Sequence, residues 1–351
     1  MTVSQLLGRE ALLHPLSRAA DLYKLLYQRF FGPGHMVDDP EIALAYLRQE
    51  ADCPRRPLPL TESLGNDLVR LNLDSEAFPP GLEAAAAGCF VHTANRFTAD
   101  PAGFREALRE TTALLGKGDL PWDGEAFTAY IRGKEAEGWP AVRHSPAYRE
   151  AYAPRYRVID AALAAALPAV EALLRAAAAP RGILAIDGRC GSGKTTLAAT
   201  LSGFSGWPVV PMDDFFLPFP LRTKERLSAP GGNVHYERLE AEVLAPFQAG
   251  GQVTYSPFDC GTGEFDNAVT LPQAEHLLLE GSYSHHPALR KYIASFVFVT
   301  AAPETQRARL AKRDPQLLNS FITQWIPMEE AYFSAYPPPE GCVTIHTDKE
   351  E

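Results

Sequence analysis

Residues 182–203 read GILAIDGRCGSGKTTLAATLSG, and few stretches restrict a fold as tightly. A short apolar run, suited to a buried strand, meets a knot of glycines, then a lysine, two threonines and a helical tail. Gly188-Arg189-Cys190-Gly191-Ser192-Gly193-Lys194-Thr195 fits the spacing GxxxxGK[ST] residue for residue. Glycines let the backbone turn sharply and aim successive N–H groups inward as an anion nest. The helix that follows adds its positive end. Lys194 is long enough to reach the outer phosphates of a nucleotide, and the Thr195 hydroxyl suits Mg²⁺. Gly188 to Thr195, with Thr196, are therefore the expected contacts for ATP, with Mg²⁺ as its companion. Cys190 reads as a small filler of the loop, although a helix N-terminus also lowers thiol pKa.

The surroundings suit such a loop. Short apolar, β-branched runs (GILAID, WPVVPM, HLLLEG, SFVFVT, CVTIHT) alternate with helical stretches (GKTTLAATLSGF, YERLEAEVLAPFQAG, HPALRKYIA, PETQRARLAKRD). Strands without polar alternation, each followed by a crossover helix, predict a parallel α/β sheet of the P-loop NTPase kind. The first 158 residues read differently. ADLYKLLYQRFF, PEIALAYLRQEA, AGFREALRETTALLG and GEAFTAYIRG carry helical periodicity, and DLVRLNL is a lone strand candidate. EGWPAVRHSPAYREAYAPRYRV has three prolines and poor periodicity, and reads as the connector. A mainly helical domain over 1–158 and a P-loop domain over 159–351 are expected. There is no internal repeat.

The 351 residues allow two domains, and 46% hydrophobic content supports sizeable cores. A net charge of −10 argues against coating nucleic acid or an anionic membrane. AALAAALPAVEALLRAAAAP is interrupted by Pro168, Glu171 and Arg175, so it does not read as a span. The start lacks a basic segment, an apolar run and a cleavage site, which predicts a cytoplasmic protein. The five cysteines are scattered without a CxxC pair, consistent with reduced thiols. Self-association is left open.

Guanine-reading NKxD is absent from the chain, as is an ABC-type signature. Asp213 and Asp214 follow the second strand, at the end of a parallel sheet where ligands collect. A carboxylate there can accept a hydroxyl proton or help hold Mg²⁺, or merely cap a turn. Glu280 ends the third strand run and suits the metal side of a nucleotide site. Arg309 and Arg313 lie four apart on one helical face, with Arg307 and Lys312 nearby. They can clamp a transferring phosphoryl group or form a solvated face paired with Glu304 and Asp314.

These residues together resemble the uridine kinase and phosphoribulokinase group of P-loop kinases, over roughly residues 165–351. GRCGSGKTT looks like the group's P-loop, and MDDFF is similar to its D-x-F-[YFL] segment, which implies Asp213 as catalytic base. FQAGGQVTYSPFDC resembles its acceptor-pocket stretch and implies Phe258 and Asp259 as substrate contacts. LLLEG matches the strand whose acid implies Glu280 at Mg²⁺, beside Thr195 and Asp213. RLAKRD looks like the start of the lid bearing Arg309 and Arg313, and TQWIPMEEAYF implies Gln324 as an acceptor-site residue. The resemblance implies ATP-dependent phosphorylation of a hydroxyl on a small molecule, with a nucleoside as acceptor. The chain departs from uridine kinases at CGTGEF, where a His and an Arg are expected. It departs again at SAPGGNVHYERL, with His235 where acids are expected, and its lid runs only from Asp314 to Gln324.

A nucleotide-sensing protein is the rival from another class: it needs the P-loop but neither a base nor a clamp. In the first half, RFFGPGHMVDD places His35 and Asp38-Asp39 beside a Gly-Pro-Gly turn, which reads as a helix junction or a ligand site. His285-His286 reads as the loop after the third strand. Trp139, Trp207 and Trp325 are isolated and read as packing residues. The helical half can bind the acceptor, regulate or assemble, and nothing in its residues selects among these.

Overall fold

A computed structural model describes residues 1–33, 40–51 and 53–348. His35, Asp38 and Asp39 lie outside the described residues. The chain divides into two compact units, Met1–Leu167 and Pro168–Glu351.

The second unit is built on a parallel sheet. Its chain-order partners begin, after the three strands of the first unit (β1, Thr61–Gly65; β2, Leu68–Asn72; β3, Tyr156–Asp160), with β4 (Ile183–Gly188) and β5 (Val209–Pro211). Two small antiparallel pairs follow, formed by β6 (Thr254–Tyr255), β7 (Phe258–Asp259), β8 (Glu264–Phe265) and β9 (Val269–Thr270). Then come β10 (Leu277–Glu280), β11 (Ser295–Thr300) and β12 (Val343–His346). The main sheet runs β12-β11-β4-β10-β5, and every pairing in it is parallel. These are the five strand runs expected from the apolar pattern. All six residues of β4 and all four of β10 are buried, as strands covered on both faces must be. β4 has β10 on one side and β11 on the other, so the chain leaves it in one direction and later returns on the other. That is the topological switch point, where a crevice opens at the carboxyl ends of the strands. Helices flank the sheet, and the core on one face gathers Ile183, Val210, Met212, Phe215, Leu239, Val243, Leu279 and Tyr332.

Two expected helices differ. HPALRKYIA forms only a single tight turn at Arg290–Tyr292, because Leu289, Tyr292 and Ile293 dock on the core directly after Pro287. The segment from Tyr236 to Gln248 is helical, but Glu240–Leu244 widens into a π-turn immediately before Pro246. Proline lacks the N–H a regular turn needs, and a widened turn absorbs the loss.

The first unit is helical with one sheet. The helix Ala19–Phe31 buries Leu22, Tyr23, Leu25, Leu26 and Phe30, which meet Leu6, Leu7, Phe104 and Phe127 in one core. DLVRLNL supplies β2, the central strand of an antiparallel sheet β1-β2-β3 with all five residues buried. The proline-rich segment expected as a bare connector contains the helix Pro146–Tyr152 and the strand β3. Pro146 sits at the start of that helix, where a missing N–H costs nothing, and Ser145 caps it. Trp139 stacks on Tyr23 and meets Phe104 edge-on, while Trp207 packs on His276 and Trp325 on Phe321. Among the described residues no helix is long and apolar enough to cross a membrane.

Candidate active site

The loop Gly188–Gly193 leaves the central strand and enters the helix Lys194–Ser205. Gly188, Gly191 and Gly193 all take positive φ, at 144°, 70° and 100°. At Gly188 a side chain is also excluded by space, since a Cβ there would overlap the carbonyl of Val299. The Lys194 ammonium lies across the mouth of the loop, donating to the carbonyl oxygens of Gly188 at 2.8 Å and Arg189 at 2.9 Å. The architecture, a glycine nest at a helix N-terminus on the switch-point strand, is that of a nucleotide-binding P-loop.

Strand register places the acids around it. Glu280 is level with Ile186 of β4 on one side and with Pro211 of β5 on the other. Gly188 and Asp213 each lie two residues further on, so the loop and the acid-bearing turn Met212–Phe215 flank Glu280. Thr195 Oγ1 donates to Glu280 Oε1 at 3.3 Å. Loss of solvent around the carboxyl raises the pKa of both Asp213 and Glu280 above its ordinary value, opposed by the Lys194 charge at each. Arg313 also acts on Asp213, and the Asp213 charge pushes Glu280 up further. The buried Glu280 and the exposed Asp213, beside a hydroxyl, form a negative point that a hard cation would neutralise. Thr195, Glu280 and Asp213 thus fit Mg²⁺, which binds through one or two carboxylates plus phosphates and water. Among the described residues no group of three His, Cys, Asp or Glu gathers to hold a metal unaided.

Arg309 and Arg313, both on the helix Pro303–Arg313, have different partners. Arg313 pairs with Asp314 at 2.5 Å, lies over the Phe321 ring and acts on Asp213. Arg309 instead donates to the carbonyls of Gly191 and Ser192 at 3.3 Å and to Thr347 Oγ1 at 2.8 Å. Its guanidinium braces the outside of the P-loop rather than joining Asp213. Of the loop residues, Ser192 is fully buried and Thr196 is exposed on the helix. Burial, then the Glu329 charge, pushes the Cys190 thiol up to about 12, so it is an unreactive packing group.

The expected acceptor residues divide likewise. Phe258 is buried, edge-on to Phe219 and to Phe265, in a hairpin packed on the Met212–Phe215 turn. Asp259 faces its own hairpin turn, accepting the Gly261 N–H at 2.7 Å, which lowers its pKa. Gln324 is exposed on the widened turn Phe321–Trp325 and makes no hydrogen bond to the other candidates among the described residues. His235 caps the helix Tyr236–Leu239 rather than facing a ligand. His285 and His286 lie in the loop after β10, one donating its amide to Asp187, the other stacked on Tyr236.

Several residues of this site were not legible as motifs. Asp187, fully buried at the end of β4, accepts from the amides of Gly188, Tyr283 and His285 and from the Tyr332 hydroxyl, at 2.7 to 3.0 Å. Glu329 accepts from the Cys190 amide at 2.9 Å and from Ser282 Oγ at 2.6 Å. Glu330 forks with Arg189, whose guanidinium also lies over Phe333. Gln306 donates to the Cys190 carbonyl at 2.8 Å. Arg238, nearly buried, donates to the Asp214 carbonyl and sits over Phe215 and Phe265, while Tyr255 donates to Asp214 Oδ2 at 3.0 Å. The available signals were an acid directly before the P-loop and a paired acid inside an apolar helix, MEEAYF.

No family model matches the chain, and no curated protein matches it. Solved structures give only distant likeness. A candidate uridine kinase from Bacillus stearothermophilus is 23% identical, with 48% of this chain and 89% of that chain covered and a TM-score of 0.37. A candidate fructose transport system kinase from Silicibacter is 22% identical, with 51% and 97% covered and a TM-score of 0.41.

Proposed function

We propose that the second unit transfers the γ-phosphate of ATP to a hydroxyl of a small metabolite, with a nucleoside as acceptor. The observation that carries this reading is the placement of Asp213. An acid with a raised pKa stands two residues past the level of Glu280, exposed at the strand ends and under the charges of both Lys194 and Arg313. A sensor needs a phosphate loop, but has no use for such an acid between two cations. In this reading the loop amides and Lys194 hold the phosphates, turning Lys194 away from the carbonyls it now contacts. Asp213 accepts the acceptor's hydroxyl proton, and its raised pKa makes it a stronger base than an ordinary aspartate. Arg313 stabilises charge on the transferring group. Mg²⁺ held by Thr195 and Glu280 would supply neutralising charge at the phosphates. The apolar wall of Phe258, Phe219 and Phe265 suits a flat acceptor body, with Tyr255, Asp214 and Arg238 as polar partners nearby.

The test is ADP release from Mg·ATP over a panel of nucleosides, pantothenate, glycerate and sugar phosphates, in wild type and Asp213→Asn. Acceptor-dependent turnover, abolished in the variant while nucleotide still binds, is the expected result. Nucleotide binding with flat turnover, even with a total metabolite extract, would transfer the protein to the sensor class.

A further inference from the structure

The first unit holds a cavity of about 160 Å³ that opens to solvent. Its wall on one side is polar and highly organised. Asp21, fully buried, takes the Nδ1–H of His144 at 2.9 Å, and His144 Nε2 then accepts the Tyr156 hydroxyl at 2.5 Å. Gln28 Nε2 donates back to that hydroxyl at 3.0 Å. Burial, before any hydrogen-bond effect, lowers His144 to about 4, so the ring is neutral and its tautomer is set by Asp21. An apolar core would fill such a position at less desolvation cost than a hydrogen-bonded chain of this length. Here the chain ends at an open cavity instead of being sealed.

The same helix, Ala19–Phe31, also supplies charge to the cavity. Lys24 donates to the Val142 carbonyl at 3.0 Å, and among the described residues it forms no ion pair. An ammonium has three donors, so two remain at the cavity. Arg157 also lines the space, but it is neutralised by Glu50 at 2.6 Å and lies over the Phe90 ring. The Asp21 carboxylate stands behind the wall and is taken up by the Arg18 and Ser145 amides, the Ser145 hydroxyl and His144. Of the charged groups that line the cavity, Lys24 is the one without an ion pair among the described residues. Tyr27, Phe90 and Val158 give it apolar walls.

We propose that this cavity is a binding site for a small organic monoanion, a carboxylate carried on a flat apolar body of roughly six to ten non-hydrogen atoms. The size follows from the volume, since a cavity of about 150 Å³ accommodates a benzene ring. The single charge follows from the one unpaired cation, which a dianionic phosphate would overmatch. The carboxylate accepts the two remaining Lys24 N–H groups, and the body lies between Phe90 and Tyr27. This site is independent of the phosphotransfer reading, because every residue in it belongs to the first unit.

The test is calorimetric titration of the full chain with benzoate, and with benzamide as the uncharged isostere. One benzoate per chain is expected, with benzamide at least tenfold weaker. Lys24→Met, which keeps the length of the stem, is expected to weaken benzoate at least tenfold, and Lys24→Arg to retain it. Burial lowers Lys24 to about 8, with Arg70 acting in the same direction and Asp21 against it. Between pH 6.5 and 9.5 His144 stays neutral, Tyr156 stays protonated because burial raises it, and Glu50 and Arg157 stay paired. Benzoate affinity of the wild type is therefore expected to fall as pH rises through 8, and that of Lys24→Arg to stay level. The wild-type pH series needs no variant to fold. Absence of saturable benzoate binding, equal binding of benzamide, or an unchanged affinity at pH 9.5 would overturn the proposal.

Discussion

Glu329 Oε2 accepts the backbone N–H of Cys190 at 2.9 Å, across 139 residues of chain. A carboxylate on the helix Ile326–Ala335 thus fastens the P-loop from outside, while its Oε1 takes the Ser282 hydroxyl. Arg309 and Gln306 brace the same loop from the helix Pro303–Arg313. The loop that would receive phosphate is therefore held from two later elements of the chain.

Removing that fastening is expected to loosen the loop more than the fold. Glu329→Ala leaves the Cys190 N–H without its acceptor, at a cost of about 1–3 kcal/mol, while the Ser282 hydroxyl keeps the Gly188 carbonyl at 3.0 Å. We expect a lower Tm and a raised KM for ATP with a smaller change in kcat. Glu329→Gln keeps one acceptor oxygen and should recover most of the affinity. Equal losses in both variants would show that charge, not positioning, is what Glu329 supplies.

Asp187 is expected to be intolerant of even an isosteric change. Its Oδ2 accepts from both the His285 amide and the Tyr332 hydroxyl, each at 2.8 Å. In Asp187→Asn an amide NH₂ faces a backbone donor that cannot turn away. A loss of at least about 2 kcal/mol in chemical denaturation is expected, against almost none for an exposed acid such as Asp119.

The pH dependence of turnover should carry the signature of a raised acid. Loss of solvent around the carboxyl places the folded-state pKa of Asp213 above the ordinary 3.8. A base works deprotonated, so kcat is expected to fall as pH drops through that raised value, with the acid limb displaced upward. Asp213→Asn should remove the limb together with the activity. A limb at the position of an unperturbed aspartate would assign proton transfer elsewhere.

Acid should weaken the first unit through His144. Its pKa falls from 6.5 unfolded to about 4 folded, chiefly by burial. Stability from the neutral ring is complete above 6.5 and is lost as pH falls toward 4, a difference of about 3 kcal/mol. Hydrogen exchange of residues in the helix Ala19–Phe31 at pH 7 and pH 4.5 would measure it. His144→Gln, which is not titratable, should flatten the difference.

Lys194→Met and Gly188→Ala separate chemistry from folding. The first removes the ammonium at the loop mouth and should lower turnover by a factor on the order of 10² or more at little cost to Tm. The second forces a Cβ against the Val299 carbonyl and is expected to yield no folded second unit.

What the amino-acid order determined alone was local. The strand–glycine–helix signature of residues 182–203 and the five apolar strand runs follow from neighbours within about twenty residues, so backbone propensity and periodicity reveal them. Proline hid the helix Pro146–Tyr152 and the strand β3, because a first-turn proline and a breaking proline look alike without a tertiary frame. Helical spacing put Arg309 and Arg313 on one face but could not assign partners: packing gave Arg309 to the P-loop carbonyls, while Arg313 pairs with its neighbour Asp314. The fastening of the P-loop by Glu329, the burial of Asp187 and the cavity beside Lys24 were decided only by the tertiary structure. Each depends on groups brought together from more than 95 residues away. Their chemistry comes from lost solvent and acquired partners, which no local pattern encodes.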